Sequence, residues 1–288
     1  MSPNTLKIFA PAKINLFLHL TGKQPDGYHT LQSIMAFVDV GDDLEFSKHD
    51  SLHIDVKGPF SAALGSLKDN LVYKAALRLS EHYKVPPRGK IILTKNLPVA
   101  AGIGGGSTDA AATLKGLAKL WGLREEPDRL QAIAQRLGAD VPACLYKKLV
   151  WAEGTGEKMT RLPDIDDMHF VLVNPLIPTP TAEVFKKFRG RFSTPLQFSG
   201  RRKSATARLA DLKMYHNDLT EAACAVTPEI RDILAALADT AGCLLHRLSG
   251  SGATCFGVYS SRESAAAAAH ALRAGHPAWW VMPANMLK

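Results

Sequence analysis

The sequence predicts an α+β protein of two domains, and three observations carry that expectation. Its 288 residues are more than one typical domain needs. Its first half opens on short β-like runs and then turns to helical patterns. Its second half, with one short helix set aside, reads β-α-β-β-α-β, the order of a ferredoxin-like domain. The hinge is expected between Gly154 and Asp166, which divides the chain into residues 1–160 and 161–288.

In the first half, Ile14–Leu20, Leu31–Val38, Leu44–Phe46 and His53–Val56 are apolar or alternating and read as strands. Pro25-Asp26-Gly27, Gly41-Asp42-Asp43 and Gly58-Pro59 carry turn chemistry. A helix starts at about Asp69 with Leu71, Ala75, Leu77 and Leu79 on its buried side, and Lys90–Thr94 is a further strand. The next helix starts near Ser107. Ser107 or Thr108 is expected to cap it, Asp109 to charge its first turn and Gly122 to end it. Pro127 opens another helix that Gly138 stops, and Asp140-Val141-Pro142 starts one more.

In the second half, His169–Asn174 is a strand and Thr181–Phe188 a short helix. Phe192–Ser204 is polar and loose. Asp218–Ala238 is helical with a break at Thr227-Pro228. Leu244–Leu248 and Thr254–Tyr259 are strands. Ser260 and Glu263 form a capping box for an alanine-rich helix, and Trp279–Met282 closes the chain as a strand.

Composition narrows the function classes. Hydrophobic residues make up 46% and charged residues 22%, which is ordinary for a globular protein and argues against disorder. The formal net charge of +8 favours anionic partners. That charge is spread along the chain, with its densest run at Arg201-Arg202-Lys203. The cysteines, Cys144, Cys224, Cys243 and Cys255, form no C-x-x-C pair, so neither a zinc knuckle nor a dithiol redox site is indicated. They suit a reducing compartment. With no signal-peptide layout and no run long enough to span a bilayer, the expectation is a cytoplasmic protein without a membrane partner.

Four segments carry chemistry. Between Pro98 and Ala112 stand four glycines in five positions, Gly102, Gly104, Gly105 and Gly106, leading into a helix. Such backbone is entropically costly and is tolerated where the chain must approach something closely. A helix N-terminus behind it offers free N–H groups to an anion, so the segment reads as a phosphate cradle. It is neither a Walker loop nor a dinucleotide fingerprint, because no lysine follows and Ser107 stands where the last glycine would. On the first strand, Lys13 and Asn15 share one face by their i, i+2 spacing, with Phe17 and His19. Ile14, Leu16, Leu18 and Leu20 take the core side. A lysine and an amide pointing together suit a polar cleft. Asp140 sits at a helix start, where the dipole keeps a carboxylate ionised, able to take or orient a hydroxyl proton. Leu248–Thr254 is a small-residue loop, readable as a hairpin turn or as a second backbone wall against phosphates.

Pro11–Asn15, Pro98–Ala112 and Leu248–Thr254 resemble, in order, the three motifs of the GHMP kinases, the family of galactokinase and of homoserine, mevalonate and phosphomevalonate kinases. The resemblance covers nearly the whole chain. Pro25–His29, Asp69–Tyr73, Gly138–Pro142 and Pro180–Phe185 resemble the family members whose acceptor is a cytidine diphosphate-linked polyol. The resemblance implies an N-terminal domain like domain 2 of ribosomal protein S5 and a C-terminal GHMP domain. It implies transfer of the γ-phosphate of ATP, as its Mg2+ complex, to an alcohol, with Lys13 and Asp140 as the catalytic pair. ATP is then expected along Pro98, Val99, Ala100, Ala101, Gly102, Ile103, Gly104, Gly105, Gly106, Ser107 and Thr108, with Asn70 and Lys95 toward the nucleoside. Thr108 stands where many relatives carry serine and retains the hydroxyl. Cytosine is expected between Tyr28 and Phe185, two aromatic faces suited to a flat base, with His29 on its polar edge and Asn15 and Thr181 as further contacts. Ser249, Gly250, Ser251 and Gly252 form the second phosphate-side loop. No compact carboxylate cluster marks a metal cage, so phosphates and water are expected around the magnesium ion. The protein is expected to be a monomer or weak homodimer. Two rival readings are another GHMP kinase of the homoserine or mevalonate type, and a silent binder of nucleotide or RNA. The base-holding segments argue against the first. Lys13, Asp140 and the lack of any RNA-binding signature argue against the second, so no nucleic-acid partner is expected.

Overall fold

Two long strands open the chain, β1 (Leu6–Lys23) and β2 (His29–Ser47). The turn at Pro25-Asp26-Gly27 joins them, with Gly27 at φ 91 and the Gln24 N–H bonded to the Tyr28 carbonyl at 2.7 Å. The computed structural model describes residues 5–124, 126–163, 168–197 and 204–288. There follow β3 (Leu52–Lys57), α1 (Leu71–Tyr83), β4 (Gly89–Thr94), α2 (Gly105–Leu120), α3 (Pro127–Gln135), α4 (Val141–Tyr146), β5 (Val150–Gly154) and β6 (Lys158–Arg161). The later elements are β7 (His169–Asn174), α5 (Thr181–Lys187), α6 (Ala205–Met214), α7 (Thr220–Val226), α8 (Glu229–Ala238), β8 (Leu245–Leu248), β9 (Cys255–Tyr259), α9 (Arg262–Gly275) and β10 (Trp280–Asn285).

Packing divides the chain into two units. The first holds residues up to Ala12, Gly41–Val99 and Gly104–Tyr146. In it β3 runs parallel to β4, and β4 pairs antiparallel with Asp43–Ser47 of β2. Helix α2 packs on α1 and α4. Its small residues allow close seating: a Cβ on Gly116 would lie 2.4 Å from the Phe46 ring.

The second unit holds Lys13–Val40, Ala100–Ile103 and Lys147–Lys288. Here Leu31–Met35 of β2 pairs antiparallel with β5, and β5 with β6. A separate antiparallel sheet runs β10-β7-β9-β8. Numbered from its own first strand, that order is 4-1-3-2, the arrangement expected of the β-α-β-β-α-β pattern. Ile230, Ile233 and Leu237 of α8 and Ala268, Ala269 and Leu272 of α9 bury against Val171, Val173 and Cys255. Among the described residues no helix is long and apolar enough to cross a membrane.

Several expectations are corrected. Gly41-Asp42-Asp43 lies inside β2 and is no turn. The Asp42 carboxylate accepts from the N–H groups of Asn96 and Leu97 at 2.6 and 2.8 Å, so polar chemistry that reads as local is satisfied by a distant segment. Helix α2 starts at Gly105 behind Gly104 in the left-handed region (φ 65) with no side-chain cap, so Ser107 and Thr108 lie within it and Asp109 is past its first turn. The buried face of α1 is Val72, Ala75, Ala76 and Leu79, while Leu77 is exposed. The capping box of α9 is one residue along, Ser261 with Ser264. Helix α6 and strands β5 and β6 were not foreseen. The basic run Arg201–Lys203 and residues 164–166 of the expected hinge lie outside the described residues.

Candidate functional site

In the second unit, three segments far apart in sequence meet. Alternation along β1 puts Lys13 and Asn15 on one face, and the Lys13 Nζ donates to Asn15 Oδ1 at 2.9 Å. The opposite face was expected to be the buried one. Both are buried: Lys13 and Asn15 are 3% and 2% exposed, and Ile14 and Leu16 are fully covered. The Lys13 backbone N–H donates to the Ile103 carbonyl at 2.9 Å, which ties β1 to the glycine loop. The Asn15 N–H donates to Ser249 Oγ at 3.1 Å, and Ser249 Oγ donates to the Gly102 carbonyl at 3.1 Å. The Thr254 N–H donates to the Ala101 carbonyl at 3.0 Å.

Gly102 (φ 75) has a specific task here. A Cβ on it would lie 2.6 Å from the carbonyl oxygens of both Ser249 and Gly252. Glycine at this position therefore lets one loop press against the other, a different use from making room for a ligand. The second loop is braced from behind by Asn217 Nδ2, which donates to the carbonyls of Leu248 and Gly250 at 2.9 and 2.8 Å. Ser251 Oγ shares a 2.8 Å hydrogen bond with Thr181 Oγ1 at the start of α5. Lys13, Asn15, Ala100–Ile103, Thr181 and Ser249–Gly252 thus form one connected group.

The aromatic residues form another. Tyr28 follows the β1–β2 turn and is 68% exposed. The His29 ring lies 5.4 Å from Phe185, tilted by 36°. Phe188 and Phe192 also approach His29, at 5.9 and 6.1 Å between centroids. Burial, aided by the charge of Lys23, lowers the His29 pKa, which favours the neutral ring. Sequence reasoning missed Phe188 and Phe192. Their spacing from Phe185 along the chain was the available signal.

The first unit carries the rest. Gly104, Gly105, Gly106 and Ser107 form the start of α2, whose leading N–H groups have no side-chain cap. Gly106 is exposed; Val99 is half-buried and Pro98 buried. Thr108 departs from expectation. It is fully buried, and its hydroxyl donates to the Gly105 carbonyl at 2.9 Å, back along its own helix. Asn70 caps α1, its Oδ1 accepting from the Val72 N–H at 2.9 Å. Asp140 immediately precedes α4 as expected, and its carbonyl accepts from the Cys144 N–H at 3.2 Å.

Lys95 was expected toward the nucleoside, but its ammonium is 2% exposed and donates to the carboxylates of Asp42 and Asp109. It underlies the start of α2: a Cβ on Gly105 would lie 3.0 Å from Lys95 Nζ. Burial pulls the Lys95 pKa down, but Asp109 and Asp42 outweigh it and the net shift is upward. Burial pushes the Asp109 carboxyl up; Lys95 opposes this, Asp42 adds to it, and it reaches about 7. One ammonium between two buried carboxylates leaves a net negative charge, which a proton on Asp109 relieves. Neither Asp42 nor this triad was singled out from sequence.

Among the described residues no cluster of three or more histidine, cysteine or acidic side chains could hold a metal ion.

Residues 70–148 match the model of the GHMP kinase N-terminal domain, and residues 202–278 that of the GHMP kinase C-terminal domain. A protein of Paramagnetospirillum magneticum named 4-diphosphocytidyl-2-C-methyl-D-erythritol kinase is 46% identical over 98% of this chain and 99% of its own. One of the same name from Ruegeria pomeroyi is 45% identical over 98% and 99%. The crystal structure of a 4-(cytidine 5'-diphospho)-2C-methyl-D-erythritol kinase superposes with a TM-score of 0.81 at 30% identity, covering 98% of this chain and all of that one. Homoserine kinase from Cytophaga hutchinsonii shares the fold, with a TM-score of 0.72 at 19% identity over 100% and 96% of the two chains.

Proposed function

The chain belongs to the GHMP kinase family, an ATP-dependent group of small-molecule kinases, and on that premise we propose that it phosphorylates the C2 hydroxyl of 4-diphosphocytidyl-2-C-methyl-D-erythritol in isoprenoid precursor biosynthesis. The observation that carries the kinase chemistry is the hydrogen-bonded convergence of Lys13–Asn15, Ala100–Ile103 and Ser249–Gly252. The acceptor rests on near-full-length similarity to relatives of that name and on the aromatic group around His29.

Phosphoryl transfer passes through a loose transition state, so positioning and charge neutralisation supply most of the catalysis. The backbone of Ala101–Ser107 holds the ATP phosphates. Lys13 offers positive charge to the hydroxyl oxygen as it becomes an alkoxide. Asp140 takes the hydroxyl proton late, as the P–O bond forms. Tyr28 and Phe185 stack on the cytosine, and His29 reads its edge as a neutral ring. Magnesium, when bound with ATP, neutralises phosphate charge. Thr181 supports this arrangement through Ser251 and is a weaker candidate for direct substrate contact. We place the domain boundary in the chain near residue 160, with one family model on each side.

The test is ADP release with Mg-ATP and 4-diphosphocytidyl-2-C-methyl-D-erythritol, with homoserine and mevalonate as other acceptors. Turnover should require the cytidyl acceptor, and Asp140→Ala should lower kcat by ~10²–10⁴-fold. Turnover of homoserine or mevalonate alone would reassign the acceptor. Near-normal turnover by the Asp140 variant would remove it from the mechanism.

A further inference from the structure

We propose that Ser33 is a positioning residue for phosphoryl transfer, fixing the ammonium of Lys13 through the side chain of Asn15. The proposal rests on the reading of Lys13 as the cation at the acceptor oxygen. Ser33 lies on β2, is fully buried, and belongs to none of the motif segments.

The argument is one of proton direction. A serine hydroxyl has one proton to donate. Ser33 Oγ donates it to the Phe17 carbonyl at 2.5 Å. Toward Asn15, whose amide lies 2.8 Å away, Ser33 can therefore only accept. The amide end facing Ser33 must be the Nδ2 group, which leaves Oδ1 facing Lys13 Nζ at 2.9 Å. The two ends of an amide are nearly equal in shape, so only such partners decide between them. The reversed amide would set an NH₂ group against an ammonium and an oxygen against a hydroxyl whose proton is already committed. Both are repulsive, and both would be buried.

The backbone of the same residue is held separately. The Asn15 N–H donates to Ser249 Oγ, which donates onward to Gly102. Asn15 is thus anchored through its main chain to the phosphate-side loops and oriented through its side chain by β2. Lysine brings a long flexible stem to its task and needs such a fixed acceptor to hold its charge in one place. Asn15 supplies one such acceptor and Ser33 selects its orientation.

The experiment is steady-state kinetics on Ser33→Ala, Ser33→Thr and Lys13→Met, with Mg-ATP and the cytidyl acceptor. Misplacing a catalytic group costs roughly 10–100-fold. Ser33→Ala should lose about that much kcat while both KM values stay within about twofold, the pattern of an interaction made in the transition state. Ser33→Thr keeps the hydroxyl and should recover most of the loss. If Ser33→Ala does not fold by circular dichroism, Ser33→Cys takes its place, since a thiol fills the site but accepts weakly, and the same kcat loss is expected. The proposal is overturned if the variant keeps its kcat, if only KM rises, or if threonine does no better than alanine. An active Lys13→Met protein would bring down the reading of Lys13 itself. An inactive Lys13→Met with a fully active Ser33→Ala would remove Ser33 alone.

Discussion

Lys95 in the first unit and Lys13 in the second are 2% and 3% exposed, and their surroundings differ in kind. Lys95 donates to two carboxylates, Asp42 and Asp109. Lys13 donates to the amide of Asn15, which itself hydrogen-bonds a serine. A carboxylate partner cancels charge and holds an ammonium as a structural pin. An amide partner directs an ammonium through its oxygen. Two lysines of nearly equal burial thus differ in acceptor: one braces the start of α2 on two carboxylates, and the other donates to an amide oxygen.

The sharpest way to break that comparison is to remove each ammonium in turn. Lys95→Met leaves two buried carboxylates facing each other, and losing one partner of a buried ion pair costs ~3–5 kcal/mol. Urea denaturation should register that loss, and a small shift would mean the triad is not a structural pin. Lys13→Met should act mainly on rate, with kcat lower by ~10²–10³-fold, the effect of deleting a charge-stabilising group. Its unfolding midpoint should move less than that of Lys95→Met. Equal destabilisation by the two would erase the distinction.

A subtler comparison uses pH. The Asp109 carboxyl is raised from 3.8 to about 7, so between those values the folded chain keeps a proton that the unfolded chain has released. Its contribution is therefore complete below the unfolded value and lost as pH rises through about 7. His19, on β1 in the second unit, shifts the other way. Burial, then the neighbouring His216 and Arg247, lower it from 6.5 to about 4, against the pull of Asp218. Its contribution is present above the unfolded value and lost as pH falls through about 4. Melting temperature against pH should therefore show an alkaline limb that Asp109→Asn flattens and an acid limb that His19→Phe flattens. Limbs that survive both substitutions would assign the titrations to other groups.

How much of this the sequence disclosed depended on the range of the interaction. Strand alternation put Lys13 and Asn15 on one face, and the two loop segments, Pro98–Ala112 and Leu248–Thr254, stood out by their local glycine and serine content. The β-α-β-β-α-β order of the second half also follows from local pattern, and the sheet order agrees with it. What failed was chemistry whose partner is remote. Gly41-Asp42-Asp43 reads as a turn because its residue types favour turns, yet Asp42 serves N–H groups more than fifty positions away. Asp109 reads as a helix-start charge, but the helix begins earlier at a left-handed glycine and turns that side chain onto Lys95. Ser33 offers no local signal, since a lone serine in an apolar strand gains its meaning only from the atoms opposite it.

The contact between Gly102 and the Ser249–Gly252 loop has a consequence for how the chain comes to be made. The two are joined across 147 residues. A ribosome adding ~5–20 residues per second needs roughly 7–30 s to synthesise that stretch. For that interval Ala100–Ile103 has emerged without the backbone it will rest on, and Gly102 leaves it little structure of its own. This loop is therefore completed late in biogenesis. A nascent chain halted near the first family model's end would carry the motif and lack the cradle, which makes assembly of the loop a natural checkpoint that the whole polypeptide has been built.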